Sequence, residues 1–211
     1  MLSFRPVHAL PVMAVLLLSA PVSAAGLCLG FGPQTPRDIS EKAGTNLQSF
    51  PFAPPSTEMN LCNIHTHTNA EHKGPGFSIF TGDGEHGGYR CNEARYLNAA
   101  ELEDPAHGHG AFHGIEPGDT IEVHWVFSSC QVAPGKGLGA CLSEGCANPT
   151  LRVESQVFLV VNDISALDFN SFDYDPSMET GLHQPKALPV APGAPVLPLG
   201  PTPGPPPPPT P

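Results

Sequence analysis

The chain has 211 residues, of which 22 are glycine and 27 are proline, and a formal net charge of −11. This length suits one domain with its own core, and a glycine and proline content of nearly a quarter argues against a helical bundle. Nine Lys and Arg residues stand against twenty Asp and Glu residues, which argues against nucleic-acid binding because phosphate contacts need a basic face.

The first 25 residues predict a secretory signal peptide. A single cation, Arg5, precedes an apolar run at 12–18, and small residues follow at 22–24. The run is too short to cross a bilayer, and no later segment approaches the roughly 20 apolar residues of a spanning helix. We therefore expect residues 1–25 to be removed. The mature protein is expected to be exported, either periplasmic or secreted, with no transmembrane segment.

Three strands and one short helix follow in the sequence. The first strand is predicted at 59–65, between a proline pair and a polar run, and the helix at 98–102. The second strand, at 120–127, follows a Pro-Gly-Asp turn and is rich in β-branched and aromatic residues. The third, at 151–161, first alternates and then becomes wholly apolar, as a central strand does.

Prolines recur from residue 184 onward and end in a run at 205–209. Proline neither continues a helix nor donates to a sheet, so we expect residues 191–211 to form an extended, disordered tail. The predicted fold class is therefore mainly β, a sandwich or barrel-like sheet with few short helices. It occupies one domain over residues 26–190.

The cysteine content predicts that disulfide bonds cross-link this domain. The mature part of the chain contains an even number of cysteines, as expected for disulfides in an oxidising compartment. They are Cys28, Cys62, Cys91, Cys130, Cys141 and Cys146. None lies in a CxxC pair, which argues against a zinc knuckle or a thioredoxin-like site. Their pairing stays open among the fifteen combinations that six cysteines allow.

Three histidines in the predicted strands indicate a metal site. His65 and His67 are two residues apart, so on a strand their imidazoles point to the same face. His124 lies inside the second strand, with Glu122 two residues before it. A catalytic zinc takes three protein ligands and leaves one position for water, and a metal would offset the desolvation of these polar groups. The residues therefore predict that His65, His67 and His124 converge on one metal ion.

Other polar residues lie close to these ligands in the sequence. Glu71 is four residues after His67 and could orient a ligand or a water, and His72 is the alternative third ligand. Glu154 and Gln156 repeat the two-residue spacing on the third strand and are predicted to face the same site. The His107–His109 pair lies in a glycine-rich loop and is interpreted as solvated.

Four longer segments resemble the delta-class carbonic anhydrases and their bacterial relatives. They are LCNIHTHTNAEHKG at 61–74, PGDTIEVHWV at 117–126, NPTLRVESQVF at 148–158 and GLHQPKALP at 181–189. The resemblance runs from about residue 60 to residue 189, after which the relatives continue with further folded sequence and this chain becomes proline-rich. It implies a zinc enzyme that interconverts CO₂ and bicarbonate, with His65, His67 and His124 as ligands.

This function would use a hydroxide formed on the zinc to attack CO₂. Glu122 would accept a hydrogen bond from a ligand imidazole and fix its tautomer, and Glu71 would orient the hydroxide. Regeneration of the hydroxide needs a histidine that carries a proton away. The candidates are His72, His86, His107, His109 and His113.

Two other functions remain open from the sequence. The spacing His65-x-His67-x-x-x-Glu71 fits half of a cupin metal pattern, in which Glu71 would be a ligand and the metal would differ. A secreted, disulfide-stapled metal-binding protein without catalysis is the non-enzymatic alternative. Elemental analysis and a CO₂ hydration assay distinguish these functions.

Overall fold

A computed structural model describes residues 38–40, 51–83, 86–107, 109, 114–190 and 196. The predicted signal peptide and nearly all of the predicted tail lie outside these residues. The described chain is mainly β with few short helices, as predicted. Its strands are β1 (Asn60–Thr68), β2 (Phe77–Gly82), β3 (Gly88–Cys91), β4 (Thr120–Ser128), β5 (Leu151–Leu159), β6 (Tyr174–Asp175) and β7 (Gln184–Pro185). Its helices are 3-10 turns at Ser56–Glu58, Asn92–Tyr96, Leu138–Cys141 and Phe169–Phe172.

The main sheet consists of β1, β4 and β5, antiparallel and in that order. All three predicted strands are confirmed, although β1 extends to Thr68 and β5 ends at Leu159. The prediction that the third strand is central is wrong, because β4 occupies the centre and β5 has a single strand partner among the described residues. The first six residues of β5 accordingly alternate between exposed and half-buried.

One face of this sheet forms the core. Ile121, Val123, Trp125 and Phe127 project from β4 to this face and are at most 3% exposed. The Trp125 Nε1–H donates to the Phe172 carbonyl at 2.9 Å, so its polar group is satisfied inside the core. Since strand side chains alternate, Glu122 and His124 must lie on the opposite face.

The predicted helix at 98–102 is wrong, because these residues form a turn. The Asn98 side chain accepts hydrogen bonds from the backbone N–H groups of Ala100 and Glu101, which competes with helix continuation. A hairpin of β2 and β3 was not predicted. In the described part of the chain, no helix has the length and apolar character of a membrane span.

Two cysteine pairs lie at disulfide distance, Cys62 with Cys141 and Cys130 with Cys146. The first pair joins β1 to the segment after β4, and the second closes a loop within that segment. Cys91 has no disulfide partner among the described residues, so the pairing predicted for it stays untested. Cys28 is the one other cysteine left without an assigned partner, and it lies outside the described residues.

Candidate metal centre

Three histidines converge on the face of the sheet opposite the core. The register of β1 and β4 pairs His65 with His124 and His67 with Glu122, and directly paired residues share a face. The ring centroids of His65 and His67 are 5.0 Å apart, those of His65 and His124 5.0 Å, and those of His67 and His124 4.7 Å. One ring nitrogen from each lies within 4.8 Å of the other two, so the three could hold a metal ion.

Asn63 orients the first of these rings. It is 3% exposed, and its Nδ2 donates to the Gly135 carbonyl at 2.8 Å. A carbonyl only accepts, so the amide oxygen must face the other way, where it lies 2.5 Å from His65 Nδ1. His65 therefore carries its proton on Nδ1 and keeps Nε2 as a free acceptor for a metal.

Glu122 orients the ring on the neighbouring strand. Its Oε1 lies 3.2 Å from His124 Nε2 and accepts from the Ser155 hydroxyl at 2.6 Å. Its Oε2 accepts from the Glu71 backbone N–H at 2.7 Å. Because a carboxylate only accepts, His124 donates from Nε2, and Nδ1 is left for a metal.

The charge states of these groups suit a cation site. Burial raises the pKa of the Glu122 carboxyl, but the hydrogen bonds from His124, Ser155 and the Glu71 N–H outweigh it and lower the pKa to about 2. Burial, with the neighbouring rings of His124 and His67, lowers the pKa of His65 to about 4. At neutral pH the site thus holds a carboxylate anion and a neutral His65 imidazole, which is the form that binds metal.

Glu71 lies at the edge of the cluster. Its Oε1 is 3.8 Å from His67 Nδ1, beyond hydrogen-bond distance, and its side chain is 39% exposed. Glu71, Glu122 and His124 form a second group whose donor atoms lie within 4.8 Å of one another. Glu71 is thus close enough to reach the centre without belonging to the three-histidine group.

The remaining predicted histidines lie outside both groups. His72 is half-buried and belongs to neither of them. His86, His107 and His109 are exposed, as expected of the loop that holds the last two. His113 lies outside the described residues.

The prediction for the third strand is wrong by one residue. The register pairs His124 with Ser155, and it pairs Trp125 with Glu154 and Val123 with Gln156, so Glu154 and Gln156 face away from the histidines. Ser155 is the β5 residue that contacts the site, through Glu122. A strand pattern cannot reveal this, because a shift of one residue exchanges the two faces.

Sequence reasoning also missed Asn63. The signal was present, because Asn63, His65 and His67 are spaced by two and therefore share a face of β1. A buried polar side chain next to predicted ligands is a common orienting partner. Together, three imidazoles, an amide oxygen that orients one ring and a carboxylate that orients another form a donor set that fits zinc.

Comparison with known families agrees with this donor set. The family model of delta carbonic anhydrase matches residues 56–207, which extends beyond the predicted span at both ends and includes β1, β4 and β5. No match was found among curated proteins or among solved structures. The family match covers well over half of the chain, so this protein belongs to the delta carbonic anhydrase family.

Proposed function

We propose that the protein catalyses the reversible hydration of CO₂ to bicarbonate, with zinc as the cofactor and His65, His67 and His124 as its ligands. The observation that carries this proposal is the convergence of these three imidazoles on one sheet face of a chain in this family. The ion would supply a Lewis acid that lowers the pKa of water from 15.7 to about 7, so that hydroxide forms near neutral pH.

The protein's own groups would keep the ligands in a single orientation. Glu122 holds the Nε2 proton of His124, and Asn63 holds the Nδ1 proton of His65. Neither ring then needs to change tautomer or rotate when a metal binds, which favours affinity and a fixed position for the reacting water. Glu71, at the exposed edge, would accept a hydrogen bond from that water.

Each hydration cycle releases one proton, which must leave the site. A histidine with an ordinary pKa near 6.5 is suited to carry it to buffer. His86, His107 and His109 are exposed and can exchange protons with solvent, whereas His72 is half-buried but directly follows Glu71. We propose that the proton carrier is one of these four residues or His113.

The test is zinc content and CO₂ hydration in a His124→Ala variant. We expect less than one zinc per chain and loss of hydration activity, because two imidazoles remain where a catalytic zinc needs three protein ligands. The control is His183→Ala. His183 forms its hydrogen bonds with Leu61 and Asn60 through its backbone and lies outside the histidine cluster, so both values should stay unchanged. Full zinc retention in His124→Ala would contradict the ligand assignment.

A Glu71→Gln variant separates this function from a cupin-like site. If three histidines hold the metal, the variant should keep one zinc per chain and lose only part of its activity. If Glu71 is a ligand, Glu71→Gln should lose metal, as His124→Ala does. Metal uptake without CO₂ hydration in the unmodified protein would favour the non-enzymatic alternative.

We further propose that the protein acts outside the cytoplasm, as the predicted signal peptide indicates. The two cysteine pairs at disulfide distance support this location, because such bonds persist in oxidising compartments. Fractionation of cells that produce the full chain tests it.

A further inference from the structure

A cavity of about 500 Å³ lies beside His65. It is lined by Asn63, Ile64, His65, the segment 134–137 and Tyr174. No carboxylate is among these lining residues, although the chain carries a net charge of −11. The two carboxylates of the site lie next to other histidines. Glu122 contacts His124, and Glu71 approaches His67. The lining residues themselves therefore present no negative charge to an anion in the cavity.

The segment that walls the cavity is fixed to β1. The Gly135 N–H donates to the Cys62 carbonyl at 3.0 Å, and the Gly135 carbonyl accepts from Asn63 Nδ2 at 2.8 Å. A few residues later, the Cys62–Cys141 pair ties the same stretch to the same strand. Lys136, next to Gly135, is thus held at the cavity by its neighbours while its own side chain stays exposed.

Lys136 is the one described lysine or arginine whose side chain has no partner among the residues that the structure describes. The other cations in the described chain are engaged with a carboxylate, a carbonyl or an aromatic ring. They are Lys73, Arg90, Arg95, Arg152 and Lys186. An ammonium group without an internal partner beside a concave surface is available to an external anion.

Tyr174 provides a second donor at the same cavity. Its oxygen accepts a hydrogen bond from the Ile64 N–H at 2.8 Å, and its own hydroxyl proton has no acceptor among the described residues. Burial raises the pKa of this hydroxyl, so it keeps its proton at neutral pH and can donate. The N–H of Ile64 also fixes the position of the oxygen.

We infer that this cavity is a binding site for a small oxyanion, held by the Lys136 ammonium and the Tyr174 hydroxyl. Its identification as bicarbonate rests on the function proposed above. A planar anion with three oxygens can accept from both donors at once, and the charge on Lys136 opposes the general repulsion of anions by an acidic protein. The site would collect bicarbonate beside the metal centre without using the metal.

The experiment is a titration of zinc-free, ¹⁵N-labelled protein with sodium bicarbonate at constant pH and ionic strength, followed by backbone amide shifts. We expect saturable shifts at Ile64 and at 135–137. Lys136→Gln should raise the dissociation constant about fivefold or more, whereas Lys136→Arg should stay within about twofold of the wild type. Arg95→Gln removes an exposed cation from the 3-10 turn at Asn92–Tyr96, which does not line the cavity, and should leave the constant unchanged.

The inference would be overturned if Lys136→Gln had the same bicarbonate dissociation constant as the wild type. It would also be overturned if the amide shifts were confined to other parts of the protein. Since Lys136 is exposed, its replacement should not affect folding, and the result can be interpreted directly. The readout is also independent of turnover. Bicarbonate binding at the cavity without CO₂ hydration would refute the proposed enzyme but support the site. CO₂ hydration without bicarbonate binding at the cavity would refute the site but leave the proposed enzyme unaffected.

Discussion

Asn63 is the residue at which the metal centre and the cavity meet. One end of its amide fixes the tautomer of His65, and the other end holds the segment that carries Lys136. Because both ends are used, no other rotamer or flipped amide satisfies the same partners. A single buried side chain thus links ligand orientation to the position of the neighbouring cation.

We expect Asn63→Ala to weaken zinc binding by about 10- to 100-fold, the usual effect of losing a partner that orients a ligand imidazole. Asn63→Asp keeps an acceptor oxygen for His65 and should stay closer to wild-type affinity. The measurement is competition with a chromophoric chelator, and Asn162→Ala, in an exposed loop, is the matched control. Equal affinities for the wild type and Asn63→Ala would exclude an orienting role.

Sequence spacing predicted the three-histidine cluster and the contact of Glu122 with His124, but not Asn63 or Ser155. The two-residue period of a strand is sufficient to place His65 and His67 on one face, and a lone histidine in β4 completes the set. Partners on a third strand depend on register, which is fixed by pairing across the sheet and not by local pattern. For this reason Ser155 was missed, and Glu154 and Gln156 were predicted in its place.

At the scale of elements, the two disulfides differ in how far they reach along the chain. Cys62 and Cys141 are separated by 79 residues, whereas Cys130 and Cys146 are separated by 16. Closing a longer loop removes more conformational entropy from the unfolded chain. The longer disulfide also joins β1, which carries two histidines, to the 3-10 turn at Leu138–Cys141.

We therefore expect the double variant Cys62→Ala with Cys141→Ala to lose more stability than Cys130→Ala with Cys146→Ala. The chain-entropy relation gives a difference of about 1.4 kcal/mol in the free energy of unfolding. Urea unfolding of both variants, monitored by Trp125 fluorescence, measures it, since this tryptophan is fully buried in the core. Equal losses would mean that local packing outweighs loop length.

Two of the three strands that the sequence predicted, β1 and β4, have fully buried residues, and β5 packs a half-buried face against β4 and the core. β4 has eight of its nine residues buried, and its β-branched and aromatic content follows from that position. The hairpin of β2 and β3 has no fully buried residue, so its sequence carries little apolar periodicity to detect. The turn at 98–102 contains good helix formers, but it is too short for propensity to outweigh the side-chain hydrogen bonds of Asn98.

At the scale of the whole molecule, the larger apolar cluster and the three histidines lie on opposite faces of one sheet, whereas a smaller buried cluster that includes Val126 shares the histidine face. The core around Trp125 and Phe127 lies on one face, and the histidines lie on the other. The apolar core and the two disulfides do not depend on a metal, in contrast to small zinc domains that unfold without it. The metal-free protein should therefore remain folded.

Zinc should nevertheless stabilise the protein by mass action, because the three ligands converge only in the folded chain. At a free zinc concentration of 100 times the dissociation constant, the gain is about 2.7 kcal/mol, or roughly 5–10 °C in Tm for a domain of this size. Thermal scans with zinc and with EDTA measure the shift. His124→Ala should abolish it, and His183→Ala should preserve it. If EDTA alone unfolded the protein, the centre would have to belong to the structural core, and the separation of the two faces would be refuted.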